Sequence, residues 1–284
     1  MNSKLYLCAT PIGNLGDVTR RVEKTLAEAD LIYAEDTRRA GVLLNSLGLH
    51  KPLRSCHEHN ENSRADEIAA AVRGGKAVAY ITDAGMPGVS DPGERLIAAF
   101  MREGLPFEVL PGPSAFITAA VLSGLPCGEI CFIGFLPREG KQRREKLKAY
   151  AEVPATMVIY ESPLRAAVTL EELSQCWGDR PAALVREITK LYEETTRGSL
   201  REIAERFRER PPRGECVLVV AGAKKPNGPS EQDMDAMLRA LMAEGASLRD
   251  AAREAGAALG APRNEAYRRA VELSRESVWE DSEE

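Results

Sequence analysis

The chain has no apolar run approaching the roughly 20 residues that span a bilayer. Its first residues, MNSKLYLCAT, also lack the long apolar core of a secretory signal. A soluble, cytoplasmic protein is expected. No G-x-G-x-x-G follows a strand-like run, which speaks against a dinucleotide fold or the common methyltransferase loop. No G-x-x-x-x-G-K-[ST] occurs either, which disfavours a P-loop enzyme. Histidine is scarce, with three in the chain, and His57-Glu58-His59 reads better as a polar loop than as a metal site. The six cysteines (Cys8, Cys56, Cys127, Cys131, Cys176 and Cys216) are scattered, and several sit in apolar runs where a reduced thiol behaves as a small hydrophobe. Cys127 and Cys131 are not followed by a second pair at zinc spacing, so no metal is expected. No internal repeat of fixed period is present.

What is there is an ordinary globular mixture: 284 residues, 44% hydrophobic and 29% charged, enough for a packed core. Net charge is −5, but residues 276–284, ESVWEDSEE, carry five of the acids and no base. The body before them balances 38 basic against 38 acidic residues and can still carry basic patches. Strand-like runs LYLCA, LIYAE, KAVAYIT and FEVL alternate with helix-period segments after Asp17, at 38–47, at 63–73 and up to about Arg102. A second alternation follows, with a helix capped by Ser114, then ICFIGF, ATMVIYE, AALVREIT and ECVLVVAG, with helices near 163–174 and 199–208. The expectation is an α/β protein of two α/β domains, 1–113 and 114–223, the first with an at least partly parallel sheet. KKPNGPS, residues 224–230, reads as a linker to a small helical extension over 231–284 with an acidic tail.

Three bare loops stand at the carboxyl ends of strands in the first half: TPIGN (10–14), DAGMPGVSDPG (83–93) and PGPSA (111–115). Ligands of open α/β sheets bind outside such strand ends. Glycine permits close backbone approach and proline fixes the turn, although each loop alone is equally well a tight turn. Few basic residues occupy them, so a phosphate ligand is disfavoured. Asp83 amid glycine and proline suits a ligand with hydroxyls, amines or positive charge.

The ordered series TPIGNLGD, AEDTRRAGVLL, ITDAGMPGVSDPG, LPGPSA, GFLP, YESPLR and VREITKLYEE resembles the tetrapyrrole methylase superfamily from about Lys4 to Gly222. Within it, the chain is most similar to the bacterial branch that methylates the ribose 2′-hydroxyl of a decoding-centre cytidine in 16S ribosomal RNA. Corrin-directed members usually show G-x-G-P-G-D and G-D-P where this chain has T-P-I-G-N-L-G-D and D-A-G-M-P, a departure that favours the ribosomal branch. The segment after the linker resembles that branch's helical extension. The resemblance implies S-adenosylmethionine folded into a cleft between two α/β domains, a homodimer, and a 16S ribosomal RNA substrate within the small ribosomal subunit. It also implies cofactor contacts from Pro11, Ile12, Gly13, Asp83, Gly85, Ser114, Ala115, Tyr160 and Glu161.

A ribose hydroxyl is weakly acidic, so a positioned base or a cation beside the developing alkoxide helps the transfer. Glu35, Asp36, Asp17 and Glu187 are the candidate bases, and Arg38 and Lys190 the candidate cations. Each has a plainer reading: Asp36 and Asp17 as helix caps, Arg38 as a solvated helix face, Glu187 with Lys190 as a structural pair. Arg38, Arg39, Lys141, Arg143 and Arg144 are the candidate RNA contacts. The last three lie in REGKQRREKLK (138–148), either a basic arm over the cleft or a solvated face. Arg263, Arg268 and Arg269 of the extension, with Pro262 at a first helical position, suit either RNA or a dimer clasp. The competing functions are methylation of a tetrapyrrole or other small molecule, and a non-catalytic binding role.

Overall fold

The structure is a computed structural model that describes residues 1–224 and 231–280. The expected linker therefore lies outside the described residues from residue 225 on, as does the end of the acidic tail from residue 281. Met1–Ala223 form one compact unit and Lys224–Glu284 another.

The first unit opens with a five-stranded, all-parallel sheet: β1 (Leu5–Cys8), β2 (Leu31–Ala34), β3 (Leu53–Ser55), β4 (Val78–Ile81) and β5 (Phe107–Leu110), in the order β3-β2-β4-β1-β5. Side chains alternate across a strand. Tyr6, Cys8, Ile32, Ala34, Ala79 and Ile81 thus pack on one face with α1 (Arg20–Glu28) and α2 (Thr37–Ser46). Leu5, Leu7, Tyr33, Val78 and Tyr80 pack on the other with α3 (Glu61–Arg73) and α4 (Glu94–Arg102). Both faces are covered, which is why the central strands read as uninterrupted apolar runs.

Helix starts differ in detail from expectation. The cap of α1 is Thr19, whose hydroxyl accepts from the Val22 amide, and not Asp17, which closes a 3₁₀ turn over Leu15–Asp17. α3 begins at Glu61, two residues early. The Glu61 side chain is buried, and its Oε1 accepts from the amides of Gly93 and Leu96, both at 3.0 Å. It therefore caps α4, whose own cap residue, Gly93, has no side chain to do so.

After β5 the chain forms α5 (Ala115–Ser123) and a second, mixed sheet. Its elements are β6 (Ile130–Phe135), α6 (Gly140–Tyr150), β7 (Thr156–Glu161), α7 (Ala166–Trp177), β8 (Pro181–Arg186), β9 (Glu194–Ser199), α8 (Leu200–Arg208) and β10 (Cys216–Val220). The order is β6-β7-β10-β8-β9, with β6 and β7 parallel and the other pairs antiparallel. Met157, Ile159, Leu184 and Leu218 face α7 and α8, while Val158, Ala183, Val185, Val217 and Val219 face α5 and Ile12. The sequence pattern misses β3, β9 and α6. The first two are short or polar edge strands, and α6 buries only Arg143 and Leu147.

The second unit consists of α9 (Glu231–Ala243), α10 (Leu248–Leu259) and α11 (Arg263–Glu280) around a core rich in alanine: Met234, Leu238, Ala251, Ala252, Ala255, Ala266, Ala270 and Leu273. Pro262 precedes α11 by one residue, and its carbonyl accepts from Glu265 and Ala266. Arg269 is a structural clamp, since its guanidinium makes a two-point bond to Asp235 at 2.6 Å on each arm. No helix of the described residues is long and apolar enough to cross a membrane.

Candidate functional site

Strands β4, β1 and β5 are parallel neighbours, so the three bare loops that follow them emerge side by side. They also bond to one another. Thr10 and Gly85 exchange backbone hydrogen bonds at 2.8 and 3.0 Å, and the Thr10 hydroxyl donates to the Thr82 carbonyl. A Cβ on Gly112 would lie 2.8 Å from that of Ala9, so only glycine lets the third turn close against β1. Gly85 sits at φ +82°, and a Cβ added there would be in van der Waals contact with Ile12 and the Pro113 carbonyl.

These loops wall a cavity of about 330 Å³. Ile12, Gly85, Met86, Asp91, Ser114 and Ala115 form one side, and Phe135, Tyr160, Ser162, Ile188, Glu215 and Val217 of the second sheet and its loops form the other. Phe116 stacks on Phe132 (centroids 4.4 Å apart), which meets Tyr160 edge-on at 4.9 Å, and Phe135 meets Tyr160 at 5.5 Å. Burial pushes the Tyr160 phenol up to about 12, so it stays a neutral donor. Among the described residues, three acids and no lysine, arginine or histidine line the cavity. Such a lining suits an apolar ring and cationic or hydroxyl groups and rejects phosphate.

Of the residues expected at a cofactor, the cavity gathers Ile12, Gly85, Ser114, Ala115, Tyr160 and Glu161. Pro11 and Asp83 instead line a neighbouring recess of about 90 Å³ with Arg39. Gly13 lines neither and packs against Lys190, whose Cγ would lie 2.7 Å from an added Cβ. Glu161 is a wall residue whose carboxylate is turned inward. It accepts from the Ser162 amide, from Arg165 and from the Thr169 hydroxyl, and so it holds the ESPLR loop in shape.

The catalytic candidates lie beside the cavity rather than in its lining. Because β2 adjoins β4, Glu35 accepts from the Asp83 amide, and Asp83 accepts from the Asp36 amide, both at 3.2 Å. Asp83 also pairs with Arg39 at 3.1 Å. Asp36 is the cap of α2, accepting from the Arg38 amide and guanidinium, which hold its carboxyl down to about 2. Glu35 is raised, chiefly by burial, which outweighs the lowering by its bond from the Asp83 amide. Lys190 donates to Glu187 and Glu215, both at 3.0 Å; those bonds outweigh burial and raise it, so it stays charged. Glu187 is lowered by the Glu215 amide and by Lys190.

Among the basic candidates on α6, Lys141 and Arg144 are exposed. Arg143 is not an RNA contact in this fold. It is buried, donating to Glu172, the Pro137 carbonyl and the Thr169 hydroxyl, which ties α6 to α7 and leaves it no face toward solvent.

Residues 4–204 match the profile of tetrapyrrole (corrin/porphyrin) methylases. The chain belongs to that family. Residues 228–274 match a profile described as the RsmI C-terminal HTH domain. Among similar methylases, ribosomal RNA small subunit methyltransferase I of Synechocystis sp. is 40% identical over 272 residues, 95% of this chain and 98% of that one. The protein of the same name from Mesorhizobium japonicum is 43% identical over 95% of this chain and 92% of its own. Uroporphyrin-III C-methyltransferase from Thermus thermophilus, solved with S-adenosyl homocysteine, superposes with a TM-score of 0.55 at 22% identity, over 77% of this chain and 97% of that one.

In this methylase, sequence reasoning missed Met86, Ser90, Asp91, Phe116, Phe135, Ser162 and Ile188 as cavity residues. The loop holding the first three carried the signal, being glycine- and proline-rich at a strand end. Which of its residues turn inward follows from the turn geometry alone.

Proposed function

We propose that this methylase transfers a methyl group from S-adenosylmethionine to the ribose 2′-hydroxyl of a decoding-centre cytidine of 16S ribosomal RNA. It acts on the small ribosomal subunit, in the cytoplasm, as a homodimer. The observation that carries this reading is 40–43% identity, across 95% of the chain, to proteins named as small-subunit ribosomal RNA methyltransferases.

The cavity fits the donor. Phe116, Phe135, Tyr160 and Ile12 offer apolar and aromatic surface for an adenine ring, and Ser114 and Ser162 offer hydroxyls. The unbalanced acidic lining favours a ligand bearing an ammonium and a sulfonium. When bound, the donor supplies an electrophilic methyl whose departure leaves a neutral thioether. The chain's part is chiefly positioning, and loops pinned to each other by the Thr10–Gly85 bonds hold their groups without reorganisation.

Arg38, Arg39, Lys141 and Arg144 supply exposed positive charge for phosphates. The homodimer reading rests on apolar side chains left exposed on edge strand β5 and the adjoining α5: Phe107, Val109, Ile117 and Val121.

Purified small ribosomal subunits with methyl-labelled donor test the function. Label recovered in an alkali-stable dinucleotide is expected, because 2′-O-methylation blocks cleavage at that sugar. Label confined to a tetrapyrrole, or absent from RNA, defeats the reading.

A further inference from the structure

Beside the donor cavity lies the recess of about 90 Å³, built by three segments. From α2 come Arg39, Val42 and Leu43, whose i, i+3, i+4 spacing puts them on one helix face. The loop after β1 adds Pro11 and Leu15, and the end of β4 adds Ile81 and Asp83. Leu15 and Val42 are 47% and 63% exposed, so apolar surface remains there for a flat ring to cover. The two linings alternate along the same loops: Pro11 belongs to the recess and Ile12 to the cavity, Asp83 to the recess and Ala84 with Gly85 to the cavity. A single residue step on each loop therefore separates them. A nucleotide methylated on its own ribose needs that arrangement, with its base beside the donor and not in the donor's place.

The polar edge of the recess is an acceptor next to a donor. Asp83 is held on three sides: its amide donates to Glu35, its Oδ1 accepts from the Asp36 amide at 3.2 Å, and its Oδ2 pairs with Arg39 Nη1 at 3.1 Å. An arginine carries five N–H donors, so one such pair leaves others for a ligand. The Asp83 side chain is 23% exposed and that of Arg39 68%, so a ligand reaches both. Cytosine offers the complement, an amino donor at N4 beside acceptors at N3 and O2. Uracil presents a keto oxygen and a ring N–H in the first two places, setting oxygen against carboxylate and N–H against guanidinium. Adenine shares cytosine's order and guanine shares uracil's, so this edge separates amino bases from keto bases.

We propose that Asp83 and Arg39 read the base of the target nucleotide in this recess, Asp83 accepting from its amino group and Arg39 donating to N3 or O2, and so select cytidine over uridine. This rests on the substrate reading above. Bases of single-stranded RNA are read on this edge once unstacked. Pro11, Leu15 and Val42 supply the apolar surface for the ring. The charge of Arg39 acts on phosphates whatever the sequence, and its place in the recess adds the part that depends on the base. A keto base would press its oxygen on the Asp83 carboxylate, so its rejection exceeds the loss of one bond.

Small subunits reconstituted on transcripts with cytidine or uridine at the methylated position test this, using methyl-labelled donor. Wild type is expected to prefer cytidine by about 10²-fold or more in kcat/KM. Asp83→Asn keeps an oxygen for the Asp36 amide and sets an amino group where Oδ2 stood. Its cytidine-to-uridine ratio should fall by about tenfold or more, partly through faster methylation of uridine. Arg39→Ala, at an exposed position, should lower the same ratio by about fivefold or more. Calorimetric donor affinity should stay within about threefold of wild type in both variants. Each variant is compared with wild type on the same RNA, so effects of the base on RNA folding cancel. A ratio unchanged in either folded variant overturns the proposal. So does a wild type that methylates uridine as fast as cytidine, or donor affinity lost in step with rate. Should Asp83→Asn fail to fold, Arg39→Ala alone decides. Wild-type protein that labels no RNA overturns the substrate reading and this assignment together, whereas normal wild-type labelling with unchanged ratios overturns the assignment alone.

Discussion

At the scale of single residues, Asp36 and Asp91 show how two aspartates in one unit acquire opposite pH behaviour. Asp36 is depressed from 3.8 to about 2, so its stabilising contribution is full above 3.8 and fades as pH falls through about 2. Asp91 is raised from 3.8 to about 7, so it penalises the fold increasingly as pH climbs from 3.8 through 7. Thermal melts should therefore show Asp36→Ala destabilised at neutral pH, with the difference closing on strong acidification. Asp91→Asn should be more stable than wild type above pH 7 and equal to it below about 4. Glu61 is the opposite kind of acid, buried and saturated by two amides. Glu61→Ala strands both donors, and a loss of about 3 kcal/mol in urea unfolding is expected.

At the scale of elements, α6 separates charge that holds the fold from charge that faces outward. Arg143 and Leu147, four residues apart, form its buried stripe, while Lys141 and Arg144 lie outside it. Arg143→Ala leaves Glu172 and the Thr169 hydroxyl without their donor and should cost about 3 kcal/mol of stability. Lys141→Ala with Arg144→Ala should leave stability nearly untouched and lower the salt dependence of RNA binding, by a slope of about 1 for each lost phosphate contact. Denaturation curves together with binding at several salt concentrations distinguish the two cases. β9 teaches the same lesson for strands: ETTRGS has little apolar pattern because it is an edge strand, paired only with β8.

At the scale of the molecule, the two compact units carry cores of different quality. The first buries large side chains such as Tyr33, Tyr80, Phe100 and Leu96 between sheets and helices, and the second packs chiefly alanine. Less apolar area per residue leaves the helical unit less stable. Hydrogen exchange read by mass spectrometry should show the amides of α9 and α10 exchanging well before those of β1, β4, β7 and β10. Equal protection of the two sets would contradict that ordering.

The sequence by itself determined the α/β class, most of the elements, and the three bare loops, because apolar periodicity and glycine–proline punctuation are local properties. It also carried the family, through motifs in a fixed order. Local pattern fell short at Asp36, where capping and catalysis remained open, and at Arg143, where a buried clamp looked like one more surface charge. Only the tertiary structure decided that β4, β1 and β5 are neighbours, and strand order is what brings Thr10, Gly85 and Gly112 together. It likewise decided that Asp83 faces Arg39 while Asp91 lines the cavity. A carboxylate's chemistry is set by its neighbours in space, and those come from segments far apart in the chain.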